Sequence, residues 1–179
     1  FYEDTLFELE KNNDSYNNSN TFYKVNLLDS TKYTKEINDI IKEINEDVIS
    51  NIEGDLTIIV QSSYEIEKDG NINHTIIKNI VGYPHSSYST FMTCINYNTK
   101  TMKIYNLEEY LNYKNISFDS IKDKFNNALQ EIKETSSYDF NTIEISKNSI
   151  YYFKSDKLYI KYGEIVFEGI QPLFLSIDL

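Results

Sequence analysis

The stretch from Gly82 to Leu111 constrains the fold more than any other part of the chain. Gly82 and Pro84 punctuate a loop that ends near Tyr88. Residues 89–97 then carry β-branched and aromatic side chains, Asn98-Thr99-Lys100 supplies turn chemistry, and Met102 to Tyr105 returns as a short strand. Asn106 is a good helix N-cap, and Glu108 and Glu109 place negative charge where a helix N-terminus favours it. The pattern predicts loop, strand, tight turn, strand and capped helix in quick succession.

The flanking sequence extends this pattern. Residues 2–11 read as an edge strand, Asn12 to Asn20 as a polar loop or hairpin tip, and Thr21 to Leu27 as the second strand of that hairpin. Asp29-Ser30-Thr31 offers capping chemistry for a helix over 33–49, whose Ile37, Ile40, Ile41, Ile44 and Val48 fall on one face. Leu56 to Glu67 and Ile72 to Val81 read as strands joined by a hairpin turn at Lys68-Asp69-Gly70-Asn71. Ser117 can cap a second helix over 118–133, with Ile121, Phe125, Ala128, Leu129 and Ile132 on its buried face. Short strands follow at Thr142–Ile145, Ser149–Phe153 and Leu158–Tyr162, with Lys154 to Lys157 turning between the last two, and a final strand runs over 173–179. Runs of strands around helices predict an α+β fold: antiparallel sheets with two principal helices packed on them. Ile37, Ile41 and Ile44 are expected in the core with Phe125 and Leu129.

Composition narrows the partners. The chain has 179 residues, enough for one domain or two intimately packed subdomains. A formal charge of −11 argues against a nucleic-acid backbone or an anionic membrane surface. It would steer a cationic partner, and it equally serves plain solubility. Cys94 is the only cysteine, which excludes an internal disulfide and a cysteine-based metal site; it is expected to be a small buried apolar residue. No apolar stretch has the length of a membrane span. The chain begins at Phe1 and not at Met, so an upstream segment is expected, and any membrane attachment would lie there.

Candidate chemistry concentrates in the Gly82–Tyr88 loop. His85 stands beside Ser86 and Ser87, but sequence neighbours in an extended loop point different ways, and no Gly-x-Ser-x-Gly elbow is present. His74 and His85 are the only histidines, too few for the usual zinc-ligand set without carboxylates. Acidic pairs such as Glu65/Glu67 and Glu164/Glu168 read as solvated charges. No catalytic residue, metal site or cofactor is therefore expected. Tyr83, His85, Ser86, Ser87 and Tyr88 are the candidate binding residues. The loop either presents Tyr83 and His85 to a partner or folds back and is held by His85. The recurrent tyrosines, among them Tyr97, Tyr105, Tyr151, Tyr152, Tyr159 and Tyr162, suit sheet packing as well as an interface or a sugar platform.

Several of these motifs together resemble a known family. Gly82 and His85 in the loop, Asn98-Thr99 in the turn, Lys35-Glu36-Ile37-Asn38 in the first helix, Tyr162-Gly163-Glu164-Ile165, and the closing Leu173 to Leu179 follow one order. That order resembles the extracytoplasmic domain of RsiV-type anti-sigma factors, found also as an accessory domain beside the PdaC deacetylase domain. The turn lacks the family's glycine, and Tyr83-Pro84 replaces small residues in the loop. The resemblance implies an N-terminal strand and polar loop over 1–20, a PdaC-like part over 21–95 and an RsiV-like part over 96–179. It also implies a non-enzymatic, extracytoplasmic sensing domain, associated with the membrane or cell wall, that binds lysozyme or another wall-active ligand. The other function the resemblance allows is a cell-wall or carbohydrate-binding accessory module.

Overall fold

A computed structural model describes residues 7–13, 21–27, 59–82, 88–137, 140–166 and 169–179. The expected helix at 33–49, with its isoleucine face, lies outside the described residues. Strands β1 (Phe7–Asn13) and β2 (Thr21–Leu27) pair antiparallel as the first hairpin.

The second sheet grows from local turn chemistry. β3 (Ile59–Asp69) and β4 (Ile72–Gly82) meet at Gly70-Asn71, where Gly70 takes a φ of 61°. β4 pairs in unbroken antiparallel register with β5 (Tyr88–Asn98). Asn98 Oδ1 then accepts the backbone N–H groups of Lys100 and Thr101, at 2.9 and 3.0 Å, and so folds the next turn. The turn has no glycine; Met102 supplies its positive φ of 59°. It leads into β6 (Lys103–Ile104), the fourth strand in the order β3-β4-β5-β6.

Helix α1 (Leu107–Tyr113) starts in a capping box: Asn106 Oδ1 accepts from Glu109 N, and Glu109 Oε2 accepts from Asn106 N, both at 2.9 Å. Helix α2 (Phe118–Thr135) has Ser117 at the N-cap position, but its hydroxyl makes no capping bond, a correction to the expected role. Ile121, Phe125 and Leu129 of α2 are buried as the periodicity predicts, while Ala128 and Ile132 are only partly covered.

The third sheet comprises β7 (Asn141–Thr142), β8 (Tyr151–Lys154), β9 (Lys157–Val166) and β10 (Ile170–Asp178). β10 lies on one edge of β9, and β7 and β8 share the other. The strand expected over 142–145 shortens to Asn141–Thr142, and the one expected to begin at Ser149 begins at Tyr151. The turn between β8 and β9 is Ser155-Asp156, both with positive φ, the geometry that matches strand twist. Gly163 permits the close approach of β7: a Cβ there would sit 2.2 Å from the Asn141 carbonyl oxygen. The core joins both helices to this sheet through Leu107, Tyr110, Leu111, Ile121, Phe125, Tyr151, Leu158, Ile160, Leu175 and Ile177, with Ile72 reaching in from β4. The fold is α+β, and among the described residues two helices pack on antiparallel sheets.

Candidate binding surface

The loop singled out in the sequence joins β4 to β5. Tyr83, His85, Ser86 and Ser87 lie outside the described residues; Tyr88 is described, and it closes the β4–β5 pairing opposite Gly82. The loop's exit is held from the third sheet. Gln171 Nε2 donates to the Tyr88 carbonyl oxygen at 2.9 Å, and Ile170 N donates to Ser89 Oγ at 3.0 Å. Gly169, with φ 129°, brings the β9–β10 corner against this backbone; a Cβ on it would lie 2.4 Å from the Tyr88 oxygen.

Exposed apolar groups flank this corner. Tyr88 is 40 % exposed, Phe91 39 % and Val166 61 %. Strand alternation places Tyr88 and Phe91 on opposite faces of β5, so they stand on either side of the corner. Val166 is paired with Ile170 across the β9–β10 corner.

A polar centre that sequence reasoning did not identify sits where α1 and β8 meet the second sheet. His74 on β4 is fully buried. Its Nδ1 lies 2.7 Å from Asn96 Oδ1 on β5, and Asn96 Nδ2 donates to the Tyr151 carbonyl oxygen at 2.9 Å. The second bond orients the Asn96 amide, and the first then assigns the proton to Nδ1 of a neutral ring. Nε2 is buried and has no hydrogen-bond partner among the described residues. The ring packs edge-on to Tyr110 at 5.1 Å and beside Phe153 at 6.0 Å between centroids. Burial lowers the His74 pKa to about 4, against the opposing pull of the Asn96 bond and the Asp69 charge. Nearby, Asp69 accepts from Tyr110 Oη at 2.8 Å and from Lys114 Nζ at 2.9 Å, and Lys114 lies over the Phe153 ring. Burial and the Asp69 carboxylate raise the Tyr110 pKa. A signal for this centre exists: Asn73-His74-Thr75 interrupts an isoleucine-rich strand, and the hairpin turns set Asn96 opposite His74.

Other expected residues fall into structural roles. Cys94 is part-buried, not fully buried as expected, and its surroundings push its thiol up to about 12, which favours the protonated form. Glu65 is exposed and pairs with Lys154, while Glu164 pairs with Lys161. Tyr97, Tyr151 and Tyr162 are buried. Tyr152 and Tyr159 stack at 4.8 Å and 7°, with Phe174 beside Tyr152 at 5.2 Å. Among the described residues, no three His, Cys, Asp or Glu side chains form a metal-ligand group, and no helix is long and apolar enough to cross a membrane. Comparison with protein-family models and with curated proteins finds no match to this chain.

Proposed function

We propose that the chain is a non-catalytic extracytoplasmic binding domain of RsiV-like type, whose Gly82–Tyr88 end recognises a cationic wall-active protein such as lysozyme. One observation carries the reading. The exit of this loop is anchored by Ile170 and Gln171, and exposed Tyr88, Phe91 and Val166 flank it. Exposed apolar and aromatic area beside an anchored strand end is suited to contact with a partner. The net charge of −11 complements a cationic ligand.

Calorimetry of the purified chain with lysozyme tests this. Binding is expected at low ionic strength and should weaken as salt screens the attraction over roughly 8 Å. Tyr83→Ala should weaken it by more than about 1 kcal/mol with little change in melting temperature. No heat at low salt would remove lysozyme as the ligand. The stacked Tyr152–Tyr159 pair with Phe174 favours a second reading, a glycan-binding accessory module. Heat released with soluble peptidoglycan fragments, and none with lysozyme, would select it.

A further inference from the structure

We propose that the outer edge of β10, at Phe174 to Ser176, is a second docking site that takes a short, basic, extended peptide segment as an added strand. The register establishes which backbone groups point outward. Lys161 N donates to the Ile150 carbonyl, so Lys161, Tyr159 and Lys157 direct their backbone groups toward β8. Leu158 and Ile160 then face β10 and bond Ile177 and Leu175. Phe174, Ser176 and Asp178 are left with N–H and C=O pointing away from β9. The Asp178 carbonyl confirms this direction, because it accepts from Lys124 Nζ on α2 at 2.9 Å. The Phe174 and Ser176 groups have no such partner among the described residues.

These groups open onto a groove of about 470 Å³ between β10 and the last turns of α2. Ala128 and Ile132 form its apolar wall, and Glu131 is the charged residue in its lining. Free edge groups beside a helix are the geometry in which an extended peptide is bound by main-chain hydrogen bonds, with alternate side chains entering pockets. Lys124 on Asp178 closes one end, and Pro172, which has no N–H, closes the other. The site therefore holds a short strand. Ala128 and Ile132 take a small aliphatic side chain, and the Glu131 carboxylate and the acidic chain favour a cationic one. The proposal does not depend on what the Gly82–Tyr88 loop binds.

The probe is an N-acetylated, C-amidated hexapeptide of alternating lysine and valine, titrated into the isotopically labelled chain. The Phe174 and Ser176 amides should shift and exchange more slowly with solvent. Ser176→Pro removes one outward N–H at a position that owes no bond to β9, and should weaken binding by about tenfold or more. Glu131→Gln should weaken it by a few-fold at low salt and less at high salt. A peptide N-methylated on the lysines or on the valines leaves the protein untouched; one of the two should fail to bind. Unshifted Phe174 and Ser176 amides at millimolar peptide, or equal binding by Ser176→Pro, would overturn the proposal. So would sedimentation showing that two copies of the chain pair through this edge and exclude the peptide.

Discussion

His74 Nδ1 and Asn96 Oδ1 lie 2.7 Å apart across β4 and β5, and Asn96 passes the connection on to the backbone of β8 through the Tyr151 carbonyl. One side chain thus ties the second sheet to the third. Burial favours the neutral imidazole, and Nε2 has no hydrogen-bond partner among the described residues.

Acid should therefore loosen the molecule. His74 has its pKa lowered from 6.5 to about 4. Below the unfolded value the unfolded chain takes up a proton that the folded chain refuses. This contribution is constant above about pH 6.5 and falls steadily toward pH 4. Each pKa unit corresponds to about 1.4 kcal/mol, so the loss reaches about 3 kcal/mol. Urea unfolding at several pH values should show the slope, and His74→Asn, which keeps a donor near the Nδ1 position, should flatten it. An equal slope in the variant would assign the acid sensitivity to carboxylates.

Asn96→Leu should be among the more damaging substitutions of similar volume. It leaves the His74 Nδ1–H and the Tyr151 carbonyl buried without a partner. The expected cost is about 2–4 kcal/mol in denaturant unfolding at neutral pH. A loss below about 0.5 kcal/mol would show that the centre relaxes to find other partners.

Gly169→Ala should detach the β9–β10 corner from the base of the Gly82–Tyr88 loop. The residue has φ 129°, and an added Cβ would meet the Tyr88 oxygen at 2.4 Å. A destabilisation of about 1–3 kcal/mol is expected, with faster exchange at the Ile170 amide, which now donates to Ser89. Unchanged exchange would mean that the corner shifts as a unit.

Asn106→Ala should cost about 1 kcal/mol in thermal or urea unfolding, through loss of the bond to Glu109 N. Asn106→Asp should recover most of it, because the aspartate oxygen can accept the same bond and suits the helix N-terminus.

The turns and the two described helices were legible because their causes are local. Gly70-Asn71, Asn98 with its side-chain acceptor, Asn106 with Glu109, and the spacing of Ile121, Phe125 and Leu129 each act within a few residues of chain. Register follows from those turns, so the antiparallel character of the second sheet was also available. Strand ends were less so. The strand expected over Thr142–Ile145 stops at Thr142, where its pairing with Gly163 ends, and only β9 decides that.

What the chain determines by itself is its acidity, its single cysteine, its turn-punctuated strands and the apolar face of α2. Tertiary structure alone decides that His74 is a buried neutral centre, that Asp69, next to a hairpin turn, binds Tyr110 and Lys114, and that Gln171 and Ile170 hold the Tyr88 carbonyl and the Ser89 hydroxyl. The partners in these contacts are tens of residues apart in the chain. No local propensity can specify such a contact, because its energy arises only when separate elements exclude water from the same small volume.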